Sequence, residues 1–599
     1  MKTRKITAAI VSVSLLCAVL GGCGSDSDRR GASGSENLGG SGWTGQGEYG
    51  GNSGMYQGVS GGAGQDGYAA TVEGTPAEGY DGSGSAWILG ENDWNRADGQ
   101  IMSGEAEVVY DLACAPMEST GFWGIGSENW NTEEYSSIQE MGYRSVVNEP
   151  LSTFSADVDT AAYSNLRRMI EDGYRMEDIP AGAVRIEEML NYFSYDYALP
   201  RGEDPFGVTA VMGDCPWNRD ARLLQIGLKT EEIDFSEAPD SNLVFLLDVS
   251  GSMYSDDKLP LLQRAFALLA QELTEKDRVS IITYAGDESV LLEGVSGDRK
   301  EEILEALDGL VAGGSTNGAG AIEAAYRLAE EYYIEGGNNR ILLATDGDLN
   351  VGLSSESELE RLVAKKKESG VFLSVLGFGT GNLKDNKMET LADKGNGNYA
   401  YIDSLGEAKK VLVEQMGATL VTVAKDVKLQ IEFNPAYVKG YRLLGYENRM
   451  LATEDFDDDK KDAGEIGAGH TVTVLYEIIP ADSSQEVPQT ELKYQAQDGA
   501  VGVENGEWMN LRIRYKEPES DSSRLCSYPI TQEAYSREPS ADFRFAAAVA
   551  EFGLLLRDSE YKKDASFDNV RELLRGADTE NDEYRDEFAW LVRKLQRNG

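Results

Sequence analysis

The chain has 599 residues, which is too long for one hydrophobic core and predicts about three or four domains. Its formal net charge of −48 would repel a phosphate backbone, so nucleic acid is excluded as an expected partner. Hydrophobic residues make up an ordinary 41% of the chain, but its 67 glycines are in excess and crowd towards the N-terminus. The folded domains are therefore expected to begin late.

The N-terminus has the pattern of a secretory signal. Lys2, Arg4 and Lys5 precede an apolar run, Ile6 to Leu20, that is too short to span a bilayer comfortably. The run ends in a Leu-Gly-Gly-Cys string that resembles the bacterial lipobox, in which cleavage before the cysteine, here Cys23, exposes it for acylation. We therefore predict lipidation at Cys23 and a lipid-anchored protein at the extracytoplasmic face of the cell membrane or envelope. A short apolar anchor with an incidental cysteine is the alternative.

A flexible tether is predicted after the signal. From Gly24 to about Gly104 the chain is rich in Gly, Ser, Asp and Tyr, and it has too few aliphatic residues to offset its conformational entropy. Order is expected from about Asn131, in a mixed α/β segment with strand-like runs at Val208 to Met212 and Leu223 to Leu228.

The clearest pattern begins at Leu243. Leu243 to Leu247 is a continuous apolar run, as expected of a strand buried on both faces of a parallel sheet. An amphipathic helix is predicted next from apolar residues at helical spacing, namely Leu259, Leu262, Phe266, Leu269 and Leu273. Further strands and helices alternate up to about Val413, which predicts an α/β fold with a doubly wound, mostly parallel sheet.

The pattern changes after about Thr419 to short alternating strands, such as Val427 to Phe433 and His470 to Ile479, and then from Ser540 to helical periodicity. The predicted organisation is a signal peptide at 1–22, a Gly/Ser-rich tether at 23–130, an N-terminal α/β segment at 131–235, a doubly wound domain at 240–418 and a β-rich, then helical domain at 419–599. The cysteines beyond Cys23 are widely scattered and predict no disulfide framework: Cys114, Cys215 and Cys526.

A candidate metal site follows the first strand of the doubly wound domain. Asp248, Ser250 and Ser252 alternate along an extended loop, so one carboxylate and two hydroxyls can face a common point. In an open α/β sheet that point lies at the carboxyl ends of the strands, where ligands bind. Oxygen ligands of this kind favour a hard cation, which we predict to be Mg²⁺, with Mn²⁺ or Ca²⁺ possible.

Two later loops make the pattern specific. One contains Thr316, and the other contains Asp346 directly after a buried strand. With them the sequence resembles the von Willebrand factor A family, whose Rossmann-like domain carries a metal-ion-dependent adhesion site (MIDAS). The resemblance implies a metal shell of Asp248, Ser250, Ser252, Thr316 and Asp346. It also implies an open coordination position that accepts an acidic residue or another oxygen donor from a protein partner.

The resemblance extends to bacterial YfbK-type proteins. These place a characteristic segment before the A domain and a family-specific domain after it. The matching strings are Ser152 to Thr160, Ala344 to Asp348, Leu376 to Gly381 and Asp542 to Ala546, whereas the glycine-rich tether is outside the resemblance. The implied protein binds a partner and is not an enzyme.

Two other functions are alternatives to partner binding. A metal-dependent hydrolase or phosphotransferase of the cell envelope would need more than these residues, because His470 is the only histidine and no phosphate-binding Gly-Lys-Ser/Thr loop is present. The string Asp157 to Thr160 resembles a phosphotransferase motif, but its threonine stands one position too close to the second aspartate. A scaffold with a vestigial metal site is the third possibility.

Overall fold

The computed structural model describes residues 132–598 except 157–158, 203, 233–237, 287, 316–318, 348–355, 416–420, 490–501 and 519. The predicted signal peptide, the lipidation residue Cys23 and the tether therefore lie outside the described residues. Within these ranges, none of the helices combines the length and the apolar character that a membrane crossing requires.

The strands are β1 (Arg144–Ser145), β2 (Leu151–Ser155), β3 (Gly207–Asp214), β4 (Arg222–Lys229), β5 (Ser241–Asp248), β6 (Arg278–Tyr284), β7 (Glu288–Ser296), β8 (Asn338–Thr345), β9 (Phe372–Phe378), β10 (Tyr399–Ile402), β11 (Thr422–Phe433), β12 (Val438–Leu444), β13 (Gly464–Gly467), β14 (Thr471–Pro480), β15 (Glu507–Lys516) and β16 (Ser523–Thr531). The α-helices are α1 (Ala161–Glu171), α2 (Ile186–Asn191), α3 (Leu259–Glu272), α4 (Lys300–Asp308), α5 (Ala319–Glu331), α6 (Glu356–Lys366), α7 (Asp385–Lys394), α8 (Leu405–Lys409), α9 (Ala541–Leu556), α10 (Phe567–Arg575) and α11 (Glu583–Asn598).

The central domain is a six-stranded sheet in the order β10-β9-β8-β5-β6-β7. Every neighbouring pair is parallel except β6 and β7, which are antiparallel. Val244 and Leu246 of β5 belong to the core beneath α5, α6 and α7, whereas Leu243, Phe245 and Leu247 belong to the core beneath α3, α4 and α8. Strand β5 is thus buried on both faces, which explains its unbroken apolar sequence and confirms the predicted doubly wound, mostly parallel sheet.

The regions before and after the central domain build two antiparallel sheets together. One has the order β1-β12-β14-β4-β3, and the other has the order β13-β11-β15-β16 with β2 also paired to β11. Side chains of both sheets share one apolar core, in which Leu224 and Ile226 of β4 join Leu429 and Ile431 of β11. Strands on either side of the central domain in sequence therefore hydrogen-bond within the same sheets.

A helical layer covers one of these sheets. It consists of α1, α2, α9, α10 and α11, which confirms the predicted helical C-terminal piece. Phe193, Phe545 and Phe588 meet there edge to face, with ring centroids 4.8 to 5.7 Å apart.

Buried ion pairs join the central domain to the flanking regions. Arg185, just before α2, donates to Glu188 and to Asp385, the first residue of α7, and all three side chains are at most 3% exposed. Arg449 likewise donates to Asp159 at 2.9 Å and to Asp393 of α7 at 2.6 Å. Removing one partner from such a pair leaves a buried charge uncompensated, so these contacts hold α7 in a defined position.

Candidate metal centre

The loop that follows β5 carries three of the predicted metal ligands close together. Asp248 is fully buried at the end of the strand, and its Oδ1 accepts a hydrogen bond from the backbone nitrogen of Ser250 at 2.9 Å. The hydroxyls of Ser250 and Ser252 are 3.0 Å apart. The two hydroxyls therefore lie close together, but a short 3₁₀ helix, Gly251–Tyr254, places Ser252 there and not the predicted alternation along an extended loop.

The neighbouring strand β8 brings the second carboxylate. Leu247 lies opposite Ala344 in the parallel β5–β8 pair, so both strands end at the same edge of the sheet. Thr345 donates its hydroxyl to Oδ2 of Asp248 at 3.0 Å, and the buried Asp346 follows it directly. The register of two parallel strands thus brings Asp248 and Asp346 to one point.

The loop that precedes Thr316 also reaches this edge. Gly313 donates its N–H to the carbonyl of Val249 at 2.8 Å, and Gly251 donates its N–H to the carbonyl of Gly314 at 3.1 Å. Thr316 itself lies outside the described residues, so its part in the site remains a prediction. Of the five predicted metal ligands, the structure brings together Asp248, Ser250, Ser252 and Asp346.

This donor set fits a hard divalent cation. The candidate ligands are carboxylate and hydroxyl oxygens, which suit magnesium, manganese or calcium better than softer metals. Across the described part of the chain, no three His, Cys, Asp or Glu side chains cluster closely enough to hold a metal.

The electrostatics of Asp248 would make metal binding at this loop dependent on pH. Burial raises the pKa of its carboxyl to about 6, and the charge of Asp346 adds to the rise, while hydrogen bonds from Ser250 and Thr345 oppose it. Because a metal binds the carboxylate and not the acid, the apparent magnesium affinity should fall about tenfold for each pH unit below about 6. Isothermal titration between about pH 5 and 7.5 measures this, and a dissociation constant that stays flat across the range would contradict the expectation.

Sequence reasoning missed three side chains that contact the two aspartates. The hydroxyl of Thr345 bonds to Asp248, and Lys258 and Asn382 donate to Oδ2 of Asp346 at 2.8 and 3.3 Å. Thr345 had a signal, since it stands directly before Asp346 at the end of a buried strand. No sequence signal pointed to Asn382. It lies in the loop after β9, and that loop comes beside β8 only because of the order of strands in the sheet.

Glycine at position 347 is required by the loop that carries Asp346. Gly347 has φ +99°, and an added Cβ would lie 2.6 Å from the nitrogen of Lys384 and 2.8 Å from the carbonyl oxygen of Asn382. We expect Gly347→Ala to destabilise the protein by about 3 kcal/mol, because backbone strain of about 1–2 kcal/mol is joined by a clash with backbone atoms. Urea unfolding in EDTA measures this loss.

Gly173 offers a matched control for that substitution. It also has a left-handed φ, +88°, but an added Cβ would meet nothing within 4 Å. Gly173→Ala should therefore cost only the backbone strain, about 1–2 kcal/mol. Equal losses for the two variants would show that the contact with the Asn382 loop does not constrain position 347.

The single histidine shows the features of a structural residue. His470 directly precedes β14, and burial lowers its pKa to about 4, so the imidazole is neutral near pH 7. Its backbone carbonyl accepts a hydrogen bond from Thr230 of the N-terminal segment at 3.1 Å.

Comparison with known families gives three matches that lie one after another along the chain. The model "von Willebrand factor" matches residues 129–225, "von Willebrand factor type A domain" matches 242–415, and "Uncharacterized protein YfbK, C-terminal" matches 418–597. The second match contains the whole candidate metal centre. Together the matches cover nearly all of the chain that follows the predicted tether.

Individual relatives agree with these matches. The "Uncharacterized protein YfbK" of Escherichia coli (strain K12) is 43% identical over 473 residues, which are 78% of this chain and 81% of the relative. The human inter-alpha-trypsin inhibitor heavy chain H3 is 30% identical over 172 residues, and the match spans only 18% of that relative. The first similarity extends well beyond the central domain, whereas the second covers 26% of this chain.

Two of the similar solved structures are as follows. A "von Willebrand factor type A" protein from Catenulispora acidiphila has a TM-score of 0.36 at 12% identity, covering 67% of this chain and 91% of its own. Proximal thread matrix protein 1 from the mussel byssus is described with a zinc-occupied MIDAS motif. It has a TM-score of 0.25 at 21% identity, and the match covers 30% of this chain and 45% of that protein.

Proposed function

Because this chain belongs to the YfbK family, whose members contain a von Willebrand factor type A domain, we propose that it binds a protein partner through a divalent metal held at Asp248, Ser250, Ser252, Thr316 and Asp346. Domains of this type suggest a role in protein interaction or adhesion. The metal supplies an electrophilic centre that an oxygen donor of the partner can reach. Magnesium is the proposed ion, with manganese or calcium as substitutes.

One observation carries the proposal. Thr345 links the two carboxylate-bearing loops by its 3.0 Å hydrogen bond to Asp248, so Asp248 and Asp346 share one edge of the sheet with the paired serine hydroxyls. Two carboxylates balance a divalent ion without using all of its coordination positions. A remaining position suits a carboxylate from a partner, which gives binding without any chemical change in the ligand.

A capture experiment tests this function. Tagged protein is incubated with cell-envelope extract in magnesium or in EDTA, and the retained proteins are compared between wild type and Asp248→Asn. We expect a partner that is retained only by the wild type and only with magnesium, and that is displaced by an excess of acidic peptide. Retention that survives both EDTA and the substitution would contradict a metal-dependent site.

We also propose that the protein is a lipoprotein at the extracytoplasmic face of the cell membrane or envelope. The support is the basic and apolar N-terminus followed by the lipobox-like string at Cys23. Stable anchoring requires two or more acyl chains on that cysteine. The long glycine-rich segment after it would then hold the metal-binding domain at a distance from the bilayer.

Replacing the lipidated cysteine should release the protein from the membrane. We expect Cys23→Ala to move most of the protein from the membrane pellet to the soluble or precursor fraction and to abolish incorporation of labelled palmitate, because no acyl acceptor remains. Cys17→Ala, which lies within the predicted signal, is the matched control and should keep both properties. Undiminished labelling of Cys23→Ala would contradict the predicted anchor.

A further inference from the structure

A buried ammonium group lies against the candidate metal centre. Nζ of Lys258 is 2.8 Å from Oδ2 of Asp346, and the two side chains are 8% and 0% exposed. Nδ2 of Asn382 donates to the same oxygen at 3.3 Å. Lys258 is not one of the predicted ligands, and a cation cannot bind a metal ion, so its position beside Asp346 needs an explanation of its own.

The loop after β9 leaves room for this lysine. Gly379 has φ +71°, and an added Cβ would lie 2.2 Å from Cγ of Lys258 and 2.5 Å from its Cε. Next to Lys258, Asp257 accepts a hydrogen bond from the backbone nitrogen of Thr380 at 3.1 Å. Glycine at 379 therefore lets the aliphatic stem of Lys258 pass closely under the backbone and reach Asp346.

The charges of the site follow from these contacts. Asp248 and Asp346 in their ionised forms contribute two negative charges, and Lys258 contributes one positive charge, so the metal-free site is singly negative. A divalent cation would make the site singly positive. At such short range inside a protein, opposite and like charges interact much more strongly than they do in water.

We propose that Lys258 is an internal counter-ion that holds Asp346 in the metal-free protein, lowers the affinity of the site for metal, and gives the metal-loaded site a net positive charge that selects an anionic ligand. This inference rests on the proposed metal-dependent function and deepens it. It assigns to the partner a carboxylate, since a neutral oxygen donor would leave the extra positive charge of the loaded site uncompensated.

Metal titration of charge variants tests the proposal. The full chain without its signal is titrated with magnesium alone by calorimetry, as wild type, Lys258→Gln and Lys258→Arg. Gln removes the charge but can still donate to Asp346, whereas Arg keeps the charge. We expect Lys258→Gln to bind magnesium at least about tenfold more tightly than wild type, because the competing cation is gone. Lys258→Arg should stay within about threefold of wild type.

A second titration tests the selection of an anionic ligand. A short peptide with one glutamate and its glutamine counterpart are added to each magnesium-loaded protein. Wild type should bind the glutamate peptide more tightly than the glutamine peptide. In Lys258→Gln the ratio of the two affinities should be about tenfold smaller. If Lys258→Gln unfolds without metal, the magnesium concentration that restores its near-ultraviolet circular dichroism reports its affinity instead.

The outcomes separate this proposal from the one on which it rests. If wild type binds magnesium and Lys258→Gln binds it equally or more weakly, the role of Lys258 is overturned while the metal site stands. If neither protein responds to magnesium, manganese or calcium, both proposals fall. Tighter binding by Lys258→Gln with an unchanged peptide preference overturns the proposed selection of a carboxylate.

Discussion

We expect magnesium to stabilise the wild-type protein and Asp248→Asn to abolish that stabilisation. A ligand that binds only the folded state stabilises it by about 2.7 kcal/mol at a concentration one hundred times its dissociation constant. The substitution removes one of the two charges that the cation requires, but it keeps the size of the side chain. The carboxamide oxygen of the variant could still accept the hydrogen bond that Ser250 now donates to Asp248 at 2.9 Å, so the fold should survive.

Asp256 offers a matched control for this substitution. It is an exposed carboxylate on the segment that joins the Asp248 loop to α3, so Asp256→Asn removes the same charge from the same neighbourhood. Thermal unfolding of the three proteins, each with EDTA and with saturating magnesium, gives the comparison. A magnesium-induced rise in Tm that is equal in Asp248→Asn and wild type would contradict the proposed site.

Arg185→Met should reduce the free energy of unfolding by about 3–5 kcal/mol, because it leaves two buried carboxylates without their counter-ion. Arg185 contacts Glu188 at 3.2 Å and Asp385 at 3.1 Å through its Nη2 atom, and burial raises the pKa of Glu188. Asp385 begins α7, only three residues beyond Asn382. The loss of Arg185 should therefore also loosen the loop that contacts Asp346.

Arg175→Met is the matched control, because Arg175 pairs with Glu177 and Asp178 at the surface, where its side chain is 55% exposed. A surface pair of this kind contributes at most about 1 kcal/mol. Urea unfolding of both variants, followed by circular dichroism, measures the two losses. If Arg185→Met cost no more than Arg175→Met, the buried pair would not hold the central domain to its flanking region.

The central sheet and most of the site could be predicted because their signals are local. The apolar run of β5 marks a strand covered on both faces, and Asp248 and the two serines follow at its end, although Ser252 lies in a short 3₁₀ helix and not in the predicted extended loop. Asp346 follows another buried strand. Neighbouring parallel strands end at one edge of a sheet, but that Asp346 joins Asp248 in one metal shell was implied by the resemblance to the von Willebrand factor A family and not by the spacing of residues.

Long-range pairing could not be predicted in the same way. Strand β2 pairs with β11, so that Phe154 lies opposite Leu429, and no periodicity in either segment names its partner. The same is true of Lys258, whose contact with Asp346 depends on the space that Gly379 leaves. A lysine before an amphipathic helix has the same sequence pattern whether its ammonium is in solvent or buried beside a carboxylate.

The position of a bound metal would test the account most directly. Crystals of the chain without its signal, grown with manganese, should show an anomalous difference peak within about 2.5 Å of a carboxylate oxygen of Asp248 and of the hydroxyls of Ser250 and Ser252. Crystals saturated with manganese that show no peak at this loop, or only a peak elsewhere on the acidic surface, would contradict the proposed metal centre.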